Sequence, residues 1–439
     1  VNVSYQRSVP QLEHILHDCQ VKLLFTDRRR AMLAEKAGAL RAIEALVVLG
    51  RPDGLANATG WDDLPRSGEA PASRPVDADL ASLHYTSGST GMPKGVMTTH
   101  LNLLDGTHRV ADYLHNCAED RILGLVSLSA PWGLLQVTTM FLRGGTVVLQ
   151  PVAIPSEIVA TINAKQVTGM AAFPVSWIEI VAYLQQEPAR MPSLRYITSS
   201  GGKIPLPTLE ALPRVLPGVN IYLTYGLTEA FRSTVLPPER FHDKMGSLGR
   251  PCRNVDVFII EPVKGVCGPG EQGELVHRGT LVTKGYWGDP DTTAKSFRTC
   301  EALRPLIGDE IVHYSGDIVR IDDEGFLWFV ERADSVIKCS GYRVSPTEVE
   351  DIVQRSGLAN HVVAFGVEDD TLGQVVHIAV SAEGRAVDLA GLTQYCRQNM
   401  PTFMVPQTIH VWEGAMPIAG TGKVDRRAVI ETCLLNDRK

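Results

Sequence analysis

Asn220-Ile-Tyr-Leu-Thr-Tyr225 is a run of β-branched and aromatic residues that stops at Gly226, the composition of a strand entering a turn. Working outward, Tyr196-Ile-Thr-Ser199 has the same make-up, and a helix-like stretch precedes each run. Thr146-Val-Val-Leu149 is another such run, set off by Gly144 and Gly145 from helically spaced apolar residues between Leu134 and Leu142. Nearer the start, Leu12, Ile15, Leu16 and Cys19 recur at helical spacing ahead of Val21-Lys-Leu-Leu-Phe-Thr26. Repeated strand, helix and strand predict an α/β fold around a parallel sheet. Ligands of such sheets tend to bind at the carboxyl ends of the strands, in the loops that follow. Gly50 to Pro75 reads as an irregular surface connection.

Past Thr234 the texture changes to short strands broken by Gly, Pro and Asp: Val255-Asp-Val-Phe-Ile-Ile260, Gly273-Glu-Leu-Val-His277 and Phe326-Leu-Trp-Phe-Val330. A small β-rich unit follows from that pattern. From Arg332 onward the spacing predicts a helix near Pro346 to Gln354, strands near Val362 to Val367 and Val375 to Ser381, and a helix near Leu389 to Asn399. That is a separate α+β domain of about a hundred residues, a common domain size.

The 439 residues, 44% hydrophobic and 21% charged, can bury a large core divided between domains. A net charge of -7 provides no basic footprint for nucleic acid or an anionic membrane. The eight cysteines form no CxxC pair and have no metal-ligand spacing, which fits a reducing, cytoplasmic setting. No apolar run approaches the roughly 18 residues of a membrane span. The chain opens directly at Val1 without Met, and an upstream portion is expected.

The richest local signal is Tyr85-Thr86-Ser87-Gly88-Ser89-Thr90-Gly91-Met92-Pro93-Lys94-Gly95. Its glycines let backbone N–H groups turn toward an anion, its hydroxyls add donors, and Lys94 adds a positive charge. A polyphosphate cradle is the functional reading; a plain Ser/Gly turn between a strand and a helix explains the glycines but not the attached Pro-Lys-Gly. It is not the GxxxxGK[ST] loop, since glycine follows Lys94.

This segment closely resembles the signature of the AMP-forming acyl-CoA synthetase, luciferase and nonribosomal-peptide adenylation superfamily. Other stretches resemble the family's further motifs in the same order. Tyr225-Gly-Leu-Thr-Glu-Ala230 resembles YGxTE, Tyr314-Ser-Gly-Asp317 the ribose motif, and Glu331 to Val344 the hinge, while Pro417-Ile-Ala-Gly-Thr-Gly-Lys423 resembles the closing PxxxxGK. The resemblance implies a large N-terminal domain of flavodoxin-like parallel βαβ layers with a small β-rich subdomain over residues 1–332. A small mobile α+β lid follows over 333–439. It also implies that the family's opening stretch is missing ahead of Val1.

The implied roles suit each residue's chemistry. ATP and a carboxylate repel until fixed positive groups and dipoles offset their charge. Lys423 takes the central part, at the carboxylate oxygen and α-phosphate, against the bland reading of a solvated terminal lysine. Thr86 to Gly91 and Lys94 hold the polyphosphate. Thr228 faces the α-phosphate, and Glu229 is the Mg²⁺ ligand. Tyr225 and Gly226, with Ser200, Gly201 and Gly202, line adenine, although an aromatic at a strand end is more often core. Asp317 accepts from the ribose hydroxyls and Arg332 adds a donor. Asp334 is the hinge, about which the lid rotates so that Lys423 leaves and Gly341 helps open a pantetheine channel; Lys338 belongs to the same nucleotide-contacting segment. Cofactors are therefore ATP and Mg²⁺, with CoA or a phosphopantetheine carrier as acceptor. Partners are a small carboxylic acid, CoA or an external acyl carrier protein, and a second copy if the chain is a homodimer.

Family members that activate amino acids hold the ammonium with an aspartate, and in Ser127-Leu-Ser-Ala-Pro-Trp-Gly-Leu134 that place falls on Pro131. An unpaired ammonium in an apolar pocket is costly, so α-amino acids are disfavoured. Ala130 stands where many acyl and aryl-CoA synthetases carry a histidine. Trp132, Gly133, Trp177, Gly226 and Phe231 are the candidate acyl pocket by family position and apolar character, with core packing the competing reading of both tryptophans. The stretches Gly133 to Thr139 and Leu227 to Thr234 resemble a stand-alone acyl-CoA ligase branch, often associated with surface polysaccharide or peptide-like pathways. The expected substrate is a fatty or other non-amino carboxylic acid. The alternatives are an amide-forming ligase using the same adenylate, and a catalytically silent nucleotide-binding homologue. A P-loop NTPase fails on motif order.

Overall fold

The computed structural model describes residues 1–439 apart from 5–8, 37, 42, 69–73, 88–91, 334, 336, 340–341, 370–371, 383–385, 420–422 and 437–439. Its centre is a seven-stranded sheet. Five parallel strands, Thr146–Leu149, Arg121–Gly124, Gly169–Ala172, Tyr196–Ser199 and Asn220–Tyr225, lie side by side in that order. Thr234–Leu236 then pairs antiparallel with the last of them, and Arg250–Pro251 closes that edge. Helices Pro131–Arg143, Pro155–Lys165, Pro174–Gln186 and Leu206–Val215 connect the parallel strands. Each has Pro in its first turn, where the missing N–H costs nothing.

The core between these layers includes Leu123, Ile158, Ile162, Met170, Trp177, Ile197, Leu209 and Leu212, all at most 2% exposed. Gly169 is small for a reason: a Cβ there would meet the Tyr196 ring at 2.2 Å. A separate three-stranded parallel sheet, Leu23–Asp27, Ala45–Leu49 and Ala58–Gly60, occupies the start of the chain. The stretch from Gly50 to Pro75 therefore departs from the irregular connection its composition predicts. Ala58–Gly60 pairs in register with Leu46–Val48, followed by a 3₁₀ turn at Trp61–Asp63.

The β-rich unit is a six-stranded antiparallel sheet in which Gln272–Gly279 and Val312–Ile321 are the long central strands. Leu327–Arg332 joins its end and sets Arg332 opposite Asp317. The C-terminal domain has a five-stranded sheet dominated by the His361–Asp369 and Gly373–Ser381 pair, covered by Pro346–Arg355 and Leu389–Asn399. Ser345 Oγ donates to Val330 O at 3.1 Å, and Lys203 pairs with Asp351, so the two parts meet at these residues. All eight cysteines are free thiols. Among the described residues, no helix is long and apolar enough to cross a membrane.

Candidate active site

The strand Asn220–Tyr225 ends in a tight hairpin. Ser233 N donates to Tyr225 O at 3.0 Å and Leu227 N to Ala230 O at 3.1 Å. Gly226 permits this closure, because a Cβ there would come within 2.5 Å of Arg232 N. The hairpin carries Thr228 and Glu229 at the carboxyl end of the sheet. Glu229 Oε1 accepts from Tyr286 Oη at 2.8 Å, and Thr283 N donates to its backbone oxygen at 3.0 Å. Burial, followed by the Glu229 charge, raises the Tyr286 phenol above its ordinary range.

Tyr225 itself donates to Asp317 Oδ2 at 2.5 Å, and Arg332 Nη1 donates to Asp317 Oδ1 at 2.9 Å and to Ser315 O at 3.2 Å. Asp317 is only 3% exposed. The strand register alone brings Arg332 to it, and Gly316, at φ +71°, leaves room: a Cβ would stand 3.2 Å from Arg332 Nη2. The Tyr225 ring lies nearly parallel to His277, with centroids 6.1 Å apart. Burial, then Asp317, pushes its phenol well up.

Lys423 arrives from the other domain. Its backbone closes a small hairpin, with Ala419 N donating to Lys423 O at 2.7 Å and Asp425 N to Pro417 O at 2.7 Å. The side chain reaches Gly201. A Cβ on Gly201, at φ +85°, would lie 3.0 Å from Lys423 Cε and 3.0 Å from the Phe173 ring. Lys423 is exposed taken as a whole residue, whereas its ammonium end is the enclosed part. Burial lowers its pKa, Asp317 and Glu229 pull it back up, and Arg332 opposes them. Ser200 is buried, and Gly202 stands beside Pro174. Thus Glu229, Asp317, Arg332 and Lys423 act on one another electrostatically around one cleft, with Tyr225 and Gly201 in its walls.

The N-terminal signature folds differently from a turn between a strand and a helix. Leu80–Ser87 and Pro93–Thr99 pair antiparallel, with Thr86 opposite Lys94 and Ser87 opposite Pro93. Gly88, Ser89, Thr90 and Gly91 lie outside the described residues. Lys94 Nζ is held by Asp289 Oδ2 at 2.9 Å and Thr292 Oγ1 at 2.7 Å. Asp289 caps the helix Pro290–Ser296, and Thr292, Lys94 and that cap hold its carboxyl far below the usual carboxylate range. Asp334 and Gly341 also lie outside the described residues, and Lys338 is described only as backbone of the strand Ile337–Cys339.

Of the expected acyl pocket, Trp132 lines a cavity, and the others are closely packed. Trp177 is 1% exposed in the main core, its Nε1 donating to Thr198 O at 3.3 Å. Phe231 is packed at 4% exposure against Gly106, where a Cβ would meet its ring at 2.8 Å. Gly133 is a packing glycine, since a Cβ would fall 2.1 Å from Ser127 O. Sequence reading also passed over Phe173, Arg232, Tyr286, Asp289 and Thr292. Only the hydroxyl-rich Asp289-Pro-Asp-Thr-Thr293 carried a local sign, that of a helix cap.

Fold and cleft together define the class of adenylate-forming enzymes. The chain belongs to the AMP-binding enzyme family: the family model matches residues 1–287, and the model of the AMP-binding enzyme C-terminal domain matches 348–423. A feruloyl-CoA synthase of an Amycolatopsis species is 31% identical over 97% of this chain and 82% of its own length. A 2-succinylbenzoate–CoA ligase of Geobacillus kaustophilus is 33% identical over 76% of this chain and 65% of its own. Among solved structures, O-succinylbenzoate coenzyme A synthetase of Bacillus subtilis in complex with ATP and magnesium ion superposes with a TM-score of 0.80. Its identity is 26%, covering 97% of this chain and 82% of that one.

Proposed function

We propose that this chain, an adenylate-forming acid–CoA ligase by family, activates a compact non-amino carboxylic acid and transfers it to the thiol of CoA. A carboxylate oxygen attacks the α-phosphorus of ATP, the bond to the β-phosphate oxygen breaks and pyrophosphate leaves. The thiol sulfur then attacks the acyl carbonyl, its proton is lost, and AMP departs. The observation that carries this reading is Lys423, brought by the second domain to Gly201 within the influence of Asp317, Arg332 and Glu229. A cation there opposes the mutual repulsion of the two anions and the charge that builds as they react. Burial weakens its hold on its own proton and strengthens its field on anything bound.

Asp317 and Arg332 are the proposed ribose contacts, Tyr225 with Ser200, Gly201 and Gly202 the proposed base contacts, and Thr86 to Gly91 with Lys94 the proposed phosphate loop. Among the described residues, no group of three or more His, Cys, Asp or Glu could hold a metal ion. Glu229 offers one hard oxygen, a donor set that fits Mg²⁺ carried largely by phosphates and water. When bound, Mg²⁺ would neutralise phosphate charge. The proposed division is an AMP-binding domain over 1–332 and a lid over 333–439. A compact acid is favoured on the reading that its far end enters the cavity beside Trp132, which is small at about 20 Å³.

The test is ATP–pyrophosphate exchange across aryl, fatty, short aliphatic and amino acids, repeated with CoA. Acid-dependent exchange followed by an acyl-CoA supports the reading. Exchange with amino acids alone, or exchange that persists unchanged in Lys423→Ala, would remove it. Product formed only on a carrier protein or an amine would move the acceptor while keeping the adenylate.

A further inference from the structure

The hairpin that carries Glu229 also carries Arg232, which is 5% exposed. It is held in the left-handed region at φ +60°, a backbone conformation that costs a non-glycine residue energy. Among the described residues its guanidinium makes one hydrogen bond, Nη1 to Thr224 Oγ1 at 2.7 Å, out of five N–H donors. Among the described residues no carboxylate compensates it: the groups whose charges act on it are the Tyr113 phenol and the Cys252 thiol. A buried cation in that state is expensive unless something anionic completes it.

The place it faces is a cavity. The helix Pro131–Arg143 presents Trp132, Leu135, Gln136 and Thr139 to it, the one-face spacing of a helix, and Arg232 also lines it, among walls that are otherwise mostly apolar. Gln136, 8% exposed, has neither amide atom hydrogen-bonded. The Arg232 guanidinium lies over the Trp132 ring, 4.8 Å from its centroid. Trp132 meets Phe173 edge to face at 5.0 Å, and a Cβ built on Gly201 would stand 3.0 Å from both the Phe173 ring and Lys423 Cε. Gly201, Phe173 and Trp132 are therefore successive neighbours between Lys423 and Arg232, with a cation at each end of the series.

Resting on the ligase reading above, we infer that Arg232 is a specificity-determining residue that binds a second anionic oxygen group at the far end of the acid, making a dicarboxylic acid the substrate class. One carboxylate meets Lys423 and ATP; the other takes the free donors of Arg232 and the Gln136 amide. The narrow space selects a compact far group, and the Trp132 and Phe173 rings yield to admit the body of the acid.

The test measures acid-dependent ATP–pyrophosphate exchange by the full chain on matched pairs: succinate against butyrate, glutarate against valerate, terephthalate against para-toluate. Sulfopropionate serves as the arm that separates carboxylate from sulfonate. The expected result is a preference of about 100-fold in kcat/KM for the doubly charged member of at least one pair, falling to near unity in Arg232→Met. Arg232→Gln removes the charge but can still donate to Thr224, and carries the same test if Arg232→Met does not fold. Preference for sulfopropionate over succinate keeps the anion site and changes the far group. A wild-type preference for the singly charged acids, or variants that slow both members of a pair equally, overturns the inference while leaving the ligase intact. Exchange with no acid of either kind removes the ligase reading, and this inference with it.

Discussion

Two hairpins bring a lysine to the cleft, one from near each end of the chain, and the two lysines are held in opposite ways. Lys94 follows the tip between Leu80–Ser87 and Pro93–Thr99 and is tied to Asp289 and Thr292. Lys423 follows the tip of the hairpin bridged by Ile418 and Val424. Among the described residues no carboxylate oxygen stands within ion-pair distance of its ammonium; Asp317 and Glu229 act on it from farther away. Similar glycine-rich stretches thus yield one lysine whose charge is already answered and one whose charge is available. A cation that must meet two anions belongs to the second kind.

The sharpest way to break this contrast is Lys423→Ala. Acid-dependent exchange is expected to fall about 100- to 1000-fold, the scale of losing one preorganised charge-stabilising donor, with ATP binding changed far less. Equal losses in rate and binding would make Lys423 a mere docking residue. Gly201→Ala comes next. It forces an L residue into φ +85° and puts a methyl 3.0 Å from Lys423 Cε and the Phe173 ring. Exchange should drop on the order of tenfold or more, and a variant that keeps full rate would mean Lys423 does not use this path.

The ground beneath Tyr225 gives a smaller, pH-dependent effect. His277 is fully buried, and burial pushes its pKa down to about 3, against a weaker opposing pull from the His313 backbone. Burial first, then the His277 and Arg332 charges, holds His313 well below the ordinary value too. The unfolded chain takes up protons near pH 6.5 that the folded chain refuses, so stability is complete above that value and declines toward about pH 3. Urea unfolding at pH 7 and pH 5 should differ by on the order of 2–4 kcal/mol, about 2 for each ring; equal or greater stability at pH 5 would contradict the buried, neutral rings. The mildest change is Asp289→Asn. Freed from its carboxylate partner, Lys94 should lower the KM for ATP about threefold, whereas a rise would mark the pair as one that positions the hairpin.

Several elements were legible because they are local. Thr146–Leu149, Tyr196–Ser199, Asn220–Tyr225 and Leu389–Asn399 fall where composition and periodicity place them. The cleft was legible as far as its residues sit in ordered motifs: Tyr225, Glu229, Asp317, Arg332, Gly201 and Lys423 come together. Trp177 could be read either way, because an indole in a helix near a ligand cleft has the same local signature as one in the core, where the fold buries it. Ala58–Gly60 was passed over because three residues of strand leave almost no periodicity to read.

Arg232, Asp289 and Phe173 were out of reach for a different reason. Lys94 and Asp289 are 195 positions apart, and nothing near either names the other. What the amino-acid order settled by itself is the alternation of strand and helix, the glycines at turns and the types of group on offer, because these depend on neighbours along the chain. Which lysine is tied, which arginine is left without a carboxylate and which aromatic rings link them were decided only when the chain folded, since burial and charge compensation are properties of surroundings rather than of sequence.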